Sequence, residues 1–331
     1  MKKITEYTAF YFVGIGGIGM SALARYFKAI GKEVSGYDKT PSPITDALIK
    51  EGFDVDFNGA VSMLPTPYLN ASETLVVYTP AVSKLHPQLT YFKENNFEVL
   101  KRSEALGLIT RFKKALCVAG THGKTTTSTM LAHVLNETQH KCSAFLGGIS
   151  SNFNSNVVIN GTSEWTVVEA DEFDRSFLNL SPYSSIVTAM DPDHLDVYGD
   201  DQCFNEGFQQ YGMKIDPNGF CILKEGLQVH TLCPTYTYNI NSNTADYSAE
   251  NISYENGEMI FYVQSLGSST RQKYTLGIPG IHNVLNALAC IVLLEKIGLS
   301  YQEIRLGLST FKGVRRRFDT HVKTDDLIYI D

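Results

Sequence analysis

Residues 115–130 read ALCVAGTHGKTTTSTM. An apolar, β-prone run ends at Ala119, a turn with two glycines follows, and a threonine-rich stretch then begins a helix. Such a turn between a strand and a helix presents backbone N–H groups to phosphate, so the pattern predicts a triphosphate-binding loop. The loop has the short GxxGK[ST] form, because Val118 stands where the longer GxxxxGK[ST] pattern has its first glycine. ATP or GTP binding is therefore expected.

The residues of this loop have expected roles in nucleotide binding. Lys124 would contact the β and γ phosphates, and Thr125 would reach a nucleotide-bound Mg²⁺. Lys124 is for the same reason a candidate catalytic residue. The candidate ATP-binding residues of the loop are Gly120, Thr121, His122, Gly123, Lys124, Thr125 and Thr126.

Carboxylates follow a second apolar run, as a nucleotide-bound Mg²⁺ requires. Residues 165–168 are predicted to form a strand that delivers Glu169 to its C-terminal edge, so Glu169 is the expected metal ligand. A third strand, 186–190, ends at the run DPDHLD of residues 191–196. His194 lies among these acids as a candidate catalytic residue and ligand of a second divalent ion, and a hydrogen-bonded loop histidine is the alternative. The predicted metal ligands are Thr125, Glu169 and His194.

A second glycine turn lies near the N-terminus, after an apolar run that ends at Val13. Gly14, Gly16 and Gly19 form the pattern GxGxxG at the start of a helix, and Asp38 follows about twenty residues on. The turn lets backbone N–H groups approach a diphosphate while an acid accepts a ribose hydroxyl, but it does not separate NAD from another nucleotide diphosphate. A turn that serves only close helix packing, with Asp38 as a helix cap or turn residue, is the alternative. The candidate diphosphate-binding residues are Gly14, Ile15, Gly16, Gly17, Ile18, Gly19 and Asp38.

Strands and helices alternate after the first glycine turn. The predicted elements are the strands Ala9–Val13, Glu33–Tyr37, Thr74–Tyr78 and Phe97–Leu100 and the helices Ile18–Ile30 and Ile44–Glu51. This alternation predicts a parallel sheet with helices on both faces. The polar residues near 108–114 are the predicted domain boundary.

The second block again runs strand, glycine turn and helix. The further predicted elements are the strands Thr166–Glu169 and Ser185–Met190, hairpins and loops at Asn218–Tyr274, and the helices Gly280–Gly298 and Tyr301–Phe311. The predicted fold class is α/β, with a Rossmann-like domain followed by a P-loop-type α/β domain that has an antiparallel portion. The apolar strand Leu327–Asp331 has nothing after it to pair with, which indicates either the start of a further domain or a C-terminal edge strand. The predicted domains are residues 1–110, 111–320 and 321–331.

The composition excludes several classes of protein. With 331 residues, 43% of them hydrophobic and 19% charged, the chain has material for two cores. The net charge of −7 argues against a broad nucleic-acid or membrane-surface footprint. Six scattered cysteines without a CxxC pair predict reduced thiols in a cytoplasmic protein. The charge-free run Tyr7–Ala24 resembles a signal peptide only superficially, because its glycines suit a phosphate-binding turn better than an export helix.

Three motifs together resemble the Mur ligase family, namely GTHGKTTT at residues 120–127, EADE at 169–172 and DPDHLD at 191–196. Within that family, the run VGIGGIGMSALA at 13–24 and the loop histidine His122 resemble the member that adds L-alanine. The resemblance covers essentially the whole chain. It implies an ATP-dependent ligase of peptidoglycan precursor synthesis whose partners are UDP-N-acetylmuramate and L-alanine, with ATP and Mg²⁺ as cofactors. The glycine turn near the N-terminus would then hold the UDP diphosphate.

The resemblance also assigns residues outside these motifs. His282 and Asn286, at a helix start, match side chains that flank the adenine of ATP. Arg317, next to Arg316, belongs to a basic interdomain segment and is a further candidate for the ATP site. Residues 78–82 are a candidate for the uridine side of the first site.

The family mechanism is an expectation for this chain. The lactyl carboxylate of the UDP-sugar would attack the γ-phosphate of ATP, and the amine of L-alanine would open the resulting acyl phosphate. Lys124 and two Mg²⁺ ions, one on Thr125 and Glu169 and one near His194, would stabilise the phosphate charge. Charge neutralisation and alignment are what such a reaction needs most.

Members of the family continue into a third domain that binds the amino acid, so this chain is expected to bind its ligands without ligating them. A related ligase that recycles a muramyl peptide is one alternative, because its nucleotide and sugar sites would be much the same. An NAD-dependent oxidoreductase explains the glycine turn but leaves the triphosphate loop without a role. A P-loop ATPase switch explains the loop but not the glycine turn. A monomer or weak homodimer is expected.

Overall fold

The described part of the chain forms two large sheets and one small one. The computed structural model describes residues 4–191, 200–315, 320–323 and 328–330. The chain divides into two units, Met1–Phe112 and Lys113–Asp331. Each unit carries one of the two glycine turns at the edge of its own sheet, so each is described by itself.

The first unit has five parallel strands in the order β3-β2-β1-β4-β5. The strands are β1 Ala9–Val13, β2 Glu33–Tyr37, β3 Asp54–Asp56, β4 Thr74–Tyr78 and β5 Glu98–Lys101. The helices are α1 Ile18–Ala29, α2 Pro43–Lys50, α3 Pro87–Glu94 and α4 Arg102–Phe112, with short 3₁₀ turns at Ile4–Glu6, Val61–Met63 and Thr66–Tyr68. The predicted parallel sheet is confirmed, and the strands predicted at 9–13, 33–37 and 74–78 have the observed bounds.

The central strand β1 explains why this sheet is covered on both faces. Phe10, Tyr11 and Phe12 are all fully buried. A strand that is apolar on both faces needs a packed layer on each side. Phe10 stacks on Phe27 of α1 with ring centroids 4.0 Å apart, and Tyr11, which points to the other face, packs against Phe92 of α3.

The large sheet of the second unit has ten described strands in the order β15-β14-β13-β12-β11-β10-β6-β9-β7-β8. The strands are β6 Lys114–Ala119, β7 Ser143–Ser150, β8 Ser155–Val158, β9 Trp165–Ala170, β10 Ser184–Val187, β11 Cys221–Lys224, β12 Thr235–Ile240, β13 Tyr247–Glu255, β14 Glu258–Ser265 and β15 Gln272–Leu276. The strand β6 pairs in parallel with both β9 and β10, so Val118 stands opposite Glu169 on one side and Ile186 on the other. The C-terminal ends of these three central strands therefore meet at one edge.

The predicted antiparallel portion is confirmed, but it begins later than expected. In the segment predicted as hairpins and loops, Asn218–Tyr274, the strands β11, β12 and β13 pair in parallel. Only β13, β14 and β15 form an antiparallel meander. An alternating apolar pattern reports that a strand is half-buried and does not report its direction, which explains the difference.

The helices of the second unit flank this sheet. Those in the described residues are α5 Lys124–Glu137 and the helices Asp201–Gly212, Ile281–Lys296 and Tyr301–Ser309, with a 3₁₀ segment at Phe173–Asn179. The helices predicted from Gly280 and from Tyr301 are confirmed and each ends two residues earlier than expected. Leu131 of α5 and Leu288 of the Ile281–Lys296 helix are fully buried in one core cluster, so α5 is anchored by tertiary packing.

A small antiparallel sheet joins β16 Thr320–Lys323 to β17 Ile328–Ile330. The apolar strand expected at Leu327–Asp331 thus pairs with a strand that precedes it in the chain. The assignment of 321–331 to a further domain stays a prediction.

Neither disulfides nor bilayer-spanning helices occur in the described part of the chain. All six cysteines lie within the described ranges and each is a free thiol. No helix there combines the length and the apolar character that crossing a bilayer takes.

Candidate active site

The triphosphate loop of the second unit is packed tightly against the end of β10. Gly120 has φ of +125°, and a Cβ atom at this position would overlap the Thr188 hydroxyl and lie 2.8 Å from the backbone N and O of Ala189. The Thr121 N–H donates to the Ala189 carbonyl at 3.1 Å. Gly120 is therefore required both for its backbone conformation and for the space.

The loop leads directly into the helix α5, and the N-terminus of this helix has no side-chain cap. Gly123 occupies the N-cap position with φ of +82°, and among the described residues no side chain accepts from the first N–H groups of α5. The first turn of α5 also carries no acidic residue. Unpaired N–H groups and the helix dipole make this end a site for an anion, as the motif predicts.

Lys124, the first residue of α5, forms a buried ion pair with Glu172. Its Nζ lies 2.7 and 2.8 Å from the two carboxylate oxygens, and the two side chains are 13% and 1% exposed. Glu172 follows the end of β9, on the edge to which the sequence assigns a cluster of carboxylates. The Glu172 carboxylate thus holds the ammonium group beside the loop.

Two of the three predicted metal ligands lie together beside this pair. The Thr125 hydroxyl donates to one oxygen of Glu169 at 3.0 Å, and the Gly147 N–H donates to the other at 2.8 Å. Burial raises the pKa of the Glu169 carboxyl, although the two hydrogen bonds and the nearby Lys124 lower it. Within residues 4–191, 200–315, 320–323 and 328–330, no group of three or more His, Cys, Asp or Glu side chains is placed to hold a metal. A cation here would need oxygen ligands from a nucleotide or water as well.

His122 and the acidic run after β10 are only partly described. The His122 Nε2 lies 3.8 Å from the Asp191 carboxylate, and both side chains are more than 70% exposed. The Asp191 N–H donates to the Thr121 hydroxyl at 3.3 Å, which fixes the start of the run against the loop. His194, the predicted ligand of a second metal, lies outside the described residues.

Of the two described residues expected around the adenine, one is buried against the loop and the other is exposed. Asn286 is 8% exposed, and its Oδ1 would be 2.7 Å from a Cβ on Gly123, so this side chain supports the loop directly. His282 is exposed at the start of the same helix, which follows Gly280. Arg317, like its neighbour Arg316, lies outside the described residues. Their assignment to the ATP site stays a prediction.

The glycine turn of the first unit is closed by backbone and side-chain hydrogen bonds. The N–H groups of Gly14 and Ile15 donate to the Tyr37 carbonyl at 2.7 and 2.9 Å. The Gly16 N–H donates to the Asp38 carboxylate at 2.7 Å. Asp38 therefore holds the turn with one oxygen, as the structural alternative requires, and its role toward a ribose stays a prediction.

The turn leads into α1 with the same features as the triphosphate loop. Gly17 is the N-cap of α1, and no described side chain caps it. Ile18 and Gly19 form the first turn of the helix, which carries no acidic residue. A Cβ on Gly16 would lie 2.7 Å from both the Asp38 carboxylate and the Thr45 methyl group, so no larger residue fits there.

Both units match models of one protein family. A family described as "Mur ligase family, catalytic domain" matches residues 9–114, and one described as "Mur ligase middle domain" matches residues 118–294. The chain belongs to the Mur ligase family. The resemblance carried by the motifs is thus confirmed over more than half of the chain.

Relatives within the Mur ligase family are similar over nearly all of this chain. UDP-N-acetylmuramate–L-alanine ligase from Phocaeicola vulgatus is 47% identical over 325 residues, which are 97% of this chain and 70% of the relative. The enzyme of the same name from Parabacteroides distasonis is 46% identical over 333 residues, which are 99% of this chain and 71% of the relative. The alignments leave a part of each relative without a counterpart in this chain.

Solved structures of the Mur ligase family have the same fold. UDP-N-acetylmuramate-alanine ligase from Thermotoga maritima aligns with a TM-score of 0.81 and 30% identity, covering 98% of this chain and 73% of that one. UDP-N-acetylmuramate:L-alanyl-gamma-D-glutamyl-meso-diaminopimelate ligase from Neisseria meningitides aligns with a TM-score of 0.80 and 24% identity, covering 94% of this chain and all of that one. At 24% identity the second likeness shows the fold alone. The predicted α/β fold class is confirmed.

Two contacts at this Mur ligase site, one made by Glu172 and one made by Gly147, are not predicted by the sequence. Glu172 was noted in the acidic run, but nothing in the sequence indicates that it pairs with Lys124. Gly147 is in contact with Glu169, because a Cβ there would lie 2.6 Å from the carboxyl carbon. The signal available for Gly147 is the pair Gly147-Gly148 inside a strand, since glycine within a strand often marks the close approach of another group.

Replacing Glu169 with glutamine is expected to stabilise the second unit at neutral pH. Because burial raises the pKa of this carboxyl, the folded state binds the proton more tightly than the unfolded state does. The charged form therefore costs stability above the raised pKa, and the cost disappears as the pH falls below the ordinary carboxyl pKa. Glutamine keeps the shape, and it can accept from the Gly147 N–H and donate to the Thr125 hydroxyl.

The measurement is the urea midpoint of the E169Q variant and of the unsubstituted protein at neutral and at acidic pH. A gain at neutral pH that shrinks on acidification is the expected result. The exposed Glu255 supplies the control, because E255Q should change the midpoint little at either pH. A loss of stability in E169Q at neutral pH would contradict the argument.

Proposed function

We propose that this chain carries the nucleotide and UDP-sugar sites of a ligase that joins L-alanine to UDP-N-acetylmuramate with cleavage of ATP to ADP, in peptidoglycan precursor synthesis. The observation that carries the proposal is the identity of 47% over 97% of the chain with a ligase of that name. The geometry of the two glycine turns supports it, since each leads into a helix whose N-terminus has a glycine N-cap and no side-chain cap, as an anion-binding helix end requires.

The second unit is the proposed ATP site. The N–H groups at the start of α5 and the Lys124 ammonium would bind the β and γ phosphates. The Thr125 hydroxyl and the Glu169 carboxylate, 3.0 Å apart, fit a nucleotide-bound Mg²⁺, because this ion commonly takes one or two protein oxygens together with phosphates and water. When bound, Mg²⁺ neutralises phosphate charge. The roles of His282, Asn286 and Arg317 toward the nucleotide are part of this proposal, as is that of His194 toward a second ion.

The first unit is the proposed UDP-sugar site. The turn 14–19 would place the N-terminal N–H groups of α1 against the diphosphate, and Asp38 would reach the ribose. The NAD alternative accounts for this turn alone. It gives no role to Lys124 and its partner Glu172 on the second unit, which argues for a reaction between two nucleotide-bearing ligands.

The proposed reaction has two steps. An oxygen of the lactyl carboxylate forms a bond to the γ-phosphorus as the bond to the bridging oxygen of ADP breaks. The neutral amine of L-alanine then attacks the acyl carbon, phosphate leaves, and the amine gives up a proton. Lys124 would hold the γ-phosphate charge while this transfer occurs, and exact placement of the reactants would supply much of the rate.

The test of the first site is calorimetric titration with UDP-N-acetylmuramate, with and without Mg²⁺ and a non-hydrolysable ATP analogue. We expect saturable binding that is lost in Gly16→Val, because the larger side chain collides with Asp38 and Thr45. Gly161→Ala is the control and should bind normally, since a Cβ at that position has no atom within 4 Å. If the chain binds NADH and its titration with the UDP-sugar gives no binding heat, the proposal is wrong.

The recycling ligase is separated from this function by its amino substrate. A ligation assay offers L-alanine and, separately, the tripeptide L-alanyl-γ-D-glutamyl-meso-diaminopimelate. Consumption of the tripeptide alone would favour the recycling ligase, whereas a chain that only binds its ligands should consume neither. A monomer or weak homodimer that works in the cytoplasm without nucleic acid or membrane partners is part of the proposal.

A further inference from the structure

Arg102 lies across the glycine turn of the first unit, where nothing in the motif predicts a cation. It is the first residue of α4, and its side chain passes directly over Gly19 in the first turn of α1. A Cβ on Gly19 would lie 3.0 Å from both Cδ and Nη1 of Arg102 and 3.4 Å from its Nε. The guanidinium group therefore occupies the space that a side chain at position 19 would take.

This contact gives the third glycine of the pattern a different purpose from the usual one. In dinucleotide-binding turns that glycine serves close packing of a helix against a strand. Here Gly19 makes room for the arginine at the mouth of the turn. The glycine pattern alone does not distinguish the two uses.

The position of Arg102 is electrostatically unfavourable without an anion. The N-terminus of a helix carries partial positive charge, and a cation in the first turn adds to it. Lys101 precedes Arg102, and the Glu104 carboxylate in the same first turn of α4 accepts the Lys101 N–H at 2.6 Å, which offsets part of the positive charge of this helix end. Among the described residues no carboxylate forms an ion pair with Arg102.

Positive potential thus reaches the turn from two sources. They are the N-terminus of α1, where the N-cap Gly17 has no side chain to cap it, and the Arg102 guanidinium. Arginine is the side chain best suited to two negatively charged oxygens, since its planar fork donates two parallel hydrogen bonds to them. A diphosphate supplies such oxygens where α1 begins.

We propose that Arg102 binds the diphosphate of the nucleoside diphosphate sugar and determines the preference of the first unit for a diphosphate over an uncharged nucleoside. The inference rests on the proposed function and adds one residue, Arg102, to its UDP-sugar site. Gly19 acts through Arg102, by leaving the space in which the guanidinium reaches the ligand.

The experiment is calorimetric titration of the chain and its variants with UDP and, separately, with uridine. We expect Arg102→Ala to weaken UDP binding by about ten- to one-hundred-fold, the loss typical of hydrogen bonds to charged groups, and to leave uridine binding within about twofold. Arg102→Lys should recover part of the affinity, because it restores the charge without the fork. Arg25→Ala is the matched control, since this arginine lies on α1 in an ion pair with Glu51 and should not change UDP binding.

A double-mutant cycle tests the link to Gly19. Gly19→Ala should weaken UDP binding in the unsubstituted protein and have no further effect in the Arg102→Ala background, because the guanidinium it displaces is already absent. An equal loss in both backgrounds would mean that Gly19 acts without Arg102, and would overturn that part of the proposal. Unfolding midpoints without ligand separate these effects from misfolding.

The outcomes distinguish this inference from the proposed function. If the unsubstituted chain binds UDP and Arg102→Ala binds it within about twofold, Arg102 is not a ligand-binding residue and the ligase proposal stands. If the unsubstituted chain binds neither UDP nor the UDP-sugar, the proposed function fails and this inference fails with it.

Discussion

Replacing Lys124 with methionine is expected to lower the free energy of unfolding of the second unit by about 3–5 kcal/mol and to abolish triphosphate binding. The reason lies in its partner, because Glu172 is 1% exposed and would remain as a buried carboxylate without its cation. Trp165, the one tryptophan in the sequence, lies in the core of this unit. Urea unfolding followed by tryptophan fluorescence therefore measures the unit that carries the pair.

The double variant K124M/E172Q separates two effects of the substitution. One is the loss of the lysine itself, and the other is the cost of burying the Glu172 carboxylate without the Lys124 ammonium group. It should regain most of the lost stability without regaining nucleotide binding, since a neutral amide costs far less to bury than a carboxylate. Arg271→Met is the matched control, because its ion pair with Glu250 is exposed and should be worth at most about 1 kcal/mol. If K124M and the double variant prove equally destabilised, the buried pair does not have the proposed energetic role.

Substituting Gly120 with alanine is the second change expected to have a large effect. A non-glycine residue held at φ of +125° is strained by about 1–3 kcal/mol, and the new methyl group would also collide with Thr188 and Ala189. We expect a loss of at least about 2 kcal/mol in unfolding free energy and no measurable binding of a fluorescent ATP analogue. The same urea titration and an equilibrium binding titration provide the measurements.

Gly161 offers a control of the same chemical size for this substitution. It lies in the same unit, its backbone is outside the left-handed region, and a Cβ there meets no atom within 4 Å. Gly161→Ala should change stability by less than about 0.5 kcal/mol and leave nucleotide binding intact. Normal ATP binding by Gly120→Ala would show that the loop can rearrange around a methyl group, contrary to the packing described above.

The features that sequence predicts well here are local. The strand β1 is one continuous apolar run, and a continuous run specifies a buried parallel strand without reference to distant residues. The loop 120–125 is equally local, since strand, glycines, lysine and helix start all lie within one short segment. Fold class and phosphate loops were accessible for this reason.

The features that escaped prediction join residues far apart in the chain. Glu172 and Lys124 are 48 residues apart, and Gly147 and Glu169 are 22 residues apart. Both contacts depend on which strands become neighbours in the ten-stranded sheet. Sequence patterns identify which residues form strands and say much less about which strands adjoin, so the partners of Lys124 and Glu169 became apparent only from the fold.

The register between β6 and β9 fixes the position of Glu169 at the proposed metal site. Because side chains alternate between the two faces of a strand, a slip of one residue would turn Glu169 away and present Val168 or Ala170 in its place. The site thus depends on strand register as strictly as on the identity of its carboxylate. A single-residue insertion early in β9 should therefore abolish the proposed Mg²⁺ binding as completely as removing Glu169, whereas a two-residue insertion would return Glu169 to the same face of the sheet.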